Sequence, residues 1–189
     1  LWVGFPAHRS GVFSAGNGPA MRAPILGATL GADREQLARF VRASTRLTHR
    51  DPRAEQGAMV IALATRRGLA RGAEDIDGDA VIAEALAHVE DEELGASLQR
   101  IPRFLSKDRE PVEYADALGL AKGVTGFINH TVPVCLYCWL RHPASFEDAV
   151  SSVILLGGDT DTTGAIVGGM AGATLGARAI PAPWMSGLI

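Results

Sequence analysis

Two carboxylates stand close together in Gly157-Gly158-Asp159-Thr160-Asp161-Thr162-Thr163-Gly164, between a glycine pair and a long run of small residues. Carboxylates at i and i+2 do not share a helical face, because successive residues turn about 100° around the axis. The pair therefore predicts a turn that opens a helix, with Asp161 near the N-cap and Thr162 in the first turn, where the positive helix end favours acidic side chains. Gly157 and Gly158 let the backbone turn sharply and keep the space before the carboxylates open. No charge falls from Thr162 to Ala177, so the helix behind the turn is expected to be buried on nearly every side. Two readings fit. Either Asp161 caps a core helix and Asp159 is a solvated turn residue, or the carboxylate and hydroxyl oxygens hold a hard cation that offsets their charge.

A second stretch with chemical potential is Ser14-Ala15-Gly16-Asn17-Gly18-Pro19-Ala20-Met21-Arg22. Glycine-rich turns expose consecutive backbone N–H groups, which can form a concavity for a phosphate, and Ser14 and Asn17 could add side-chain bonds. A tight surface turn leading into a helix near Ala20 explains the same residues. His49, in Leu47-Thr48-His49-Arg50-Asp51, sits where a helix should end; it reads as a terminal cap or as a donor to a phosphate or ribose hydroxyl. The remaining candidates are weaker. Cys135 and Cys138 share a helical face, but no second thiol or imidazole pair completes four zinc ligands, so they read as core residues. Arg66-Arg67 reads as the solvated end of a helix, and Glu90 to Glu93 as a solvated acidic face. No nucleophile elbow or Ser-His-Asp order is present.

The elements that must position these residues read as helices. Asp33 with Gln36 predicts a cap, followed by an apolar stripe at Leu37, Phe40, Val41, Ser44 and Leu47. Asp51 and Pro52 read as N-cap and N1 of the next helix, with Ala54, Ala58, Ile61, Ala62 and Thr65 inward and an end at Arg66-Arg67-Gly68. Further helices are expected over 79–89, from Asp91 to about Ile101-Pro102, and over Glu113 to Val124, beginning just after Pro111. Val132 to Leu140 should be buried and stopped by His142-Pro143, and Ser145 with Asp148 should cap a helix running into the glycine pair. No period-2 alternation and no 20–50-residue repeat appears. The prediction is all-α and one domain.

Bulk numbers exclude several classes. The 189 residues carry 47% hydrophobic and 21% charged residues, the profile of a globular chain rather than a disordered one. A net charge of -3 gives no electrostatic case for nucleic acid or an anionic membrane. No apolar stretch is long enough to span a bilayer, and no secretory leader pattern opens the chain. Two cysteines make no disulfide framework, so a reducing cytoplasm is the expected compartment. The chain opens on Leu1 inside loop-like sequence dense in glycine and proline (Gly4, Pro6, Gly11, Gly16), the pattern expected of a fragment.

In this order, the Ser14–Arg22 loop, the Thr48-His49 step and the Gly157–Thr162 turn with its small-residue helix (ending at Ile180-Pro181 and Trp184) resemble the ADP-ribosylglycohydrolases of the dinitrogenase reductase-activating type. The resemblance implies an all-α, single-domain orthogonal helical bundle over residues 1–189, the C-terminal two thirds of the family's domain and incomplete at its N-terminus. It also implies a binuclear magnesium or manganese centre at the base of an ADP-ribose cleft. By the same resemblance, Asp159, Asp161 and Thr162 match metal ligands, with Asp159 and Asp161 catalytic. Ser14, Gly16, Asn17 and Gly18 match the loop that holds the diphosphate and nearby ribose, and His49 matches a residue lining that cleft. The implied reaction releases ADP-ribose from a modified protein side chain or a small molecule. The metals hold the distal ribose hydroxyls and a water that attacks the anomeric carbon, and a carboxylate orients that water or takes its proton. The family's other metal ligands form a Thr-Asp-Asp or Asp-Asp-Thr cluster upstream of the glycine loop. This chain has no such stretch, so the other half of the centre is expected before Leu1. A rival expectation is a catalytically silent ADP-ribose-binding or structural member of the same fold.

Overall fold

In the computed structural model, which describes residues 10–30 and 32–187, most helices start where a side chain can cap them. Asp33 accepts the Gln36 N–H at 3.0 Å and opens α2 (Arg34–Arg46), after α1 (Gly18–Leu30). Asp51 accepts from Arg53 N and opens α3 (Pro52–Arg71), with Pro52 in the first turn, where its missing N–H costs nothing. Asp77 caps α4 (Gly78–Leu86) and Asp91 caps α5 (Glu92–Leu105). Next come α6 (Pro111–Ala117) and α7 (Ile128–Arg141), and Ser145 caps α8 (Phe146–Leu155). The chain closes with α9 (Thr160–Leu175), a short 3-10 turn and α10 (Ala182–Ser186). Among the described residues there is no strand, and the all-α expectation holds.

Helices α3 and α7 form the centre. Twelve of the thirteen positions of α7 from Ile128 to Leu140, all but His130, are buried, and α3 buries Ala54, Ala58, Ile61, Ala62 and Thr65 as its periodicity predicts. Helix α1 lies along α3 at very close range. A methyl group on Gly27 would stand 2.2 Å from the Ala62 carbonyl oxygen, so only a residue without Cβ lets these backbones meet. This contact fixes the loop that precedes α1 against the core. None of the described helices is long and apolar enough to cross a membrane.

Several expectations need correction. On α2 the buried line is Leu37, Val41 and Thr45, while Phe40 and the C-cap Leu47 are about half exposed; they lie roughly 100° and 120° around the helix from Val41. Helix α3 runs past Arg66-Arg67-Gly68 to Arg71. Gly68 is a packing position against Trp139 and Thr174, and the two arginines are not merely solvated, since both pair with Glu84 of α4. Helix α5 continues through Pro102 to Leu105, because a proline's lost N–H affects only one bond and the last turn closes with Ser106 N to the Pro102 carbonyl. Helix α9 is not buried all round: Thr163, Ile166, Val167, Met170 and Ala171 face the core, while Asp161 and Ala165 are exposed. The stretch 1–9, with Gly4, Pro6 and His8, and residue Gly31 lie outside the described residues.

Gly27→Ala should destabilise the chain by about 1–3 kcal/mol through the forced separation of α1 and α3. Gly164→Ala, whose methyl would touch Ile154 at an ordinary 3.5 Å, should be neutral or stabilising by up to about 1 kcal/mol. Urea unfolding midpoints check the pair, and equal effects would contradict the close α1–α3 approach.

Candidate active site

The backbone between helices is cross-stitched at three places. Val12 bridges His49, Gly16 bridges Phe127, and Val124 bridges Gly158. The bonds are ordinary in length: Arg50 N to Val12 O is 2.8 Å, Asn17 N to Gly126 O is 2.9 Å, and Asp159 N to Val124 O is 2.8 Å. Four loops from distant parts of the chain are thereby laid side by side, and each carries residues the sequence singled out. The glycine loop 14–18 lies between the His49 loop and the 124–127 loop, which in turn meets the acidic turn.

Asn17 is the junction. Buried to 7% exposure, it sends one amide hydrogen to Asp159 Oδ2 at 2.7 Å and the other to Thr131 Oγ1 at 3.0 Å. Thr131 passes its own proton to the Thr125 carbonyl at 3.0 Å. Both Asn17 side-chain hydrogens and its backbone N–H are therefore committed within the protein, which leaves Oδ1 as its side-chain acceptor for a ligand. The bond from Asn17, helped by Thr162, holds the Asp159 carboxyl below the ordinary carboxylate range, although burial pushes the other way.

This arrangement changes the role of the acidic turn. The N-cap of α9 is Asp159, not Asp161, and its side chain makes no cap bond to the helix because it is turned towards Asn17. Asp161 and Thr162 follow in the first turn. Gly157 and Gly158 have φ of 73° and 85°, the left-handed backbone that glycine adopts without cost. At Gly158 the constraint is also steric, since a Cβ would lie 2.1 Å from the Val124 carbonyl oxygen.

His49 covers the other side of the glycine loop. A Cβ on Gly16 would stand 2.7 Å from His49 Nε2, and one on Gly18 would stand 3.2 Å from Cε1, so the imidazole rests directly on the loop. Burial first, and then the charge of Arg22, keeps His49 below its usual pKa and favours the neutral ring. Ser14 is exposed at the start of the loop. The structure thus brings together Gly16, Asn17, Gly18, His49 and Asp159, with Asp161 and Thr162 one turn along α9. Sequence reasoning missed Thr131, Thr125 and Gly126, whose missing side chain leaves room for Asp159 Oδ2. A threonine opening an otherwise apolar helix, next to a Thr-Gly step, was the available signal.

The donors near Asp159 are all oxygens, and one carboxylate is held in its charged form; that chemistry fits a hard divalent cation. Among the described residues, however, no three His, Cys, Asp or Glu side chains gather into a metal cage. The residues present would hold such an ion from one side.

A family model described as ADP-ribosylglycohydrolase matches residues 1–189. The chain is 30% identical over 207 residues to the mouse protein called ADP-ribosylhydrolase ARH3, and 30% identical over 205 residues to the human one. It is also 30% identical over 182 residues to an uncharacterized protein of Archaeoglobus fulgidus. These alignments cover 94%, 94% and 95% of the chain but only 54%, 55% and 55% of the relatives, so the chain spans about half the length of the curated relatives it matches. A solved structure titled ADP-ribosylglycohydrolase-related protein complex matches all of the chain and 65% of its own, with a TM-score of 0.63 and 25% identity.

Gly157→Ala meets no atom within 4 Å and should cost about 1–2 kcal/mol, from left-handed backbone alone. Gly158→Ala must also push the Val124 backbone aside, which adds about 1–3 kcal/mol. Denaturant unfolding of the two variants decides it; equal costs would mean that the Val124–Gly158 bridge does not hold the acidic turn.

Proposed function

Because the chain belongs to the ADP-ribosylglycohydrolase family, we propose that it is part of a hydrolase cleaving the bond between ADP-ribose and a modified protein side chain or small molecule, at a binuclear Mg²⁺ or Mn²⁺ centre. The observation that carries this reading is the 2.7 Å bond from Asn17 to Asp159, which fastens the glycine loop to the acidic turn across 142 residues of sequence. A phosphate-binding loop and a carboxylate site serve one substrate only if they are held at a fixed separation, and this bond supplies that.

Each residue then has a task. Asn17 donates to Asp159 and lowers its pKa further below neutrality, so the ionised carboxylate can accept a hydrogen bond or a cation. Asp161 and Thr162, in the first turn of α9, add oxygens where the helix dipole favours negative charge. One of the two carboxylates orients the attacking water or takes its proton, as the carboxylates of glycoside hydrolases do. The divalent ions, when bound, would lower the pKa of a coordinated water and polarise ribose oxygens. His49 faces the loop in its neutral form and can donate to a diphosphate oxygen, while Gly16 and Gly18 let that group approach the backbone. Two carboxylates and a hydroxyl are fewer oxygen ligands than two such ions need, so the remaining ligands must come from elsewhere.

Two outcomes are expected. In a complete protein carrying this chain, Asp161→Ala should lower hydrolysis of ADP-ribosyl-arginine, ADP-ribosyl-serine or O-acetyl-ADP-ribose at least about 100-fold; unchanged turnover on all three would refute the assignment. Calorimetric titration of the isolated 189 residues with Mn²⁺ should show weak binding, and tight uptake of two ions would contradict the partial site. ADP-ribose binding without turnover of any of the three substrates in the complete protein would favour the silent binding member instead.

A further inference from the structure

The residue that the proposed activity leaves unused is Arg22, the last of the glycine-loop motif. Its half-buried guanidinium makes no ion pair among those of the described residues and spends its hydrogens on neutral groups. Nε donates to Ser44 Oγ at 3.2 Å, Nη1 to the Gly18 carbonyl at 3.1 Å, and Nη2 to the Ser44 carbonyl at 2.9 Å. Nη2 also donates to Thr48 Oγ1 at 2.9 Å, and Thr48 Oγ1 lies 2.8 Å from His49 Nδ1. A half-buried charge fastened to the glycine loop, to the end of α2 and to the residue beside His49 is more than a surface arginine.

The polarity of this chain of bonds follows from donor counting. A guanidinium only donates, so Thr48 Oγ1 accepts from Arg22. The hydroxyl retains one proton, and the neighbour within bonding distance that can take it is Nδ1. Passing it on makes a continuous series, Nη2–H to Oγ1 and Oγ1–H to Nδ1, in which each bond strengthens the next. The opposite polarity would aim an Nδ1–H at an oxygen already facing a cation. A neutral imidazole that accepts at Nδ1 carries its hydrogen on Nε2, and Nε2 is the atom resting on Gly16.

We propose that Arg22 is a positioning residue, acting through Thr48 to fix His49 as the Nε2–H tautomer with that donor turned to the glycine loop, where it binds an anionic oxygen of the ligand. The last clause rests on the functional reading above; the tautomer does not. Burial and the Arg22 charge, which both disfavour a second proton on His49, agree with it. Arg22 thus contributes to ligand binding without touching the ligand.

The test is ¹⁵N NMR of the His49 ring in the ligand-free chain, assigned with a His49→Asn variant. Nδ1 should have the shift of an unprotonated acceptor and Nε2 that of an N–H. Thr48→Val changes an exposed side chain, so it should leave the fold intact, remove the preference and weaken ADP-ribose binding about tenfold (about 1.4 kcal/mol). Arg22→Lys keeps the charge and should retain the tautomer in part. A protonated Nδ1 in the unaltered chain, or a tautomer unmoved by Thr48→Val, would overturn the proposal. If the tautomer is as stated but the unaltered chain does not bind ADP-ribose, the relay stands and the reading of the loop as a diphosphate site fails.

Discussion

One hydrogen bond, from the Asn17 amide to the Asp159 carboxylate at 2.7 Å, closes the candidate site, and much of the fold serves to make it possible. A carboxylate drawn partly out of water is costly unless something donates to it. Asn17 does so with one hydrogen and uses the other on Thr131, so its amide plane is fixed from two sides. The bond holds the charge on Asp159 and the position of the glycine loop together. Moving either partner disturbs both.

The helices are arranged so that this bond can form. Gly27 lets α1 lie against α3, which places Asn17 at the start of α1 over the centre of the molecule. The buried helix α7 carries Thr131 on its first turn, and the loop before it brings Gly126 beneath Asn17 and Val124 beside Gly158. Left-handed glycines at 157 and 158 then aim Asp159 away from the helix it opens. On the opposite side, Arg22 gathers Gly18, Ser44 and Thr48, so the glycine loop is braced by side chains at both ends.

Much of the secondary structure was legible in the sequence because caps act locally. Asp33, Asp51, Asp91 and Ser145 each bond an N–H two or three residues ahead, and that geometry is written in the spacing. Helix ends and faces were harder. Pro102 permits one more turn, and Phe40 and Leu47 are apolar residues that the neighbouring helices do not reach. The site residues were legible as types, since glycine loops and paired carboxylates carry their chemistry in their identity. Their partnerships were not. Nothing local says that Asn17 spends its hydrogens on Asp159 rather than on a ligand, or that Asp159 rather than Asp161 is the cap position, because those outcomes depend on bridges between loops far apart in sequence, Gly16 with Phe127 and Val124 with Gly158.

The most direct test of the central bond is a double-mutant cycle on stability, with Asn17→Ala, Asp159→Ala and the pair compared by urea unfolding of this chain. A bond from buried Asn17 to an ionised, half-buried carboxylate predicts a coupling of about 1–2 kcal/mol, so that removing the second partner costs less once the first is gone. Costs that add to within about 0.5 kcal/mol would contradict the claim that this bond ties the glycine loop to the acidic turn.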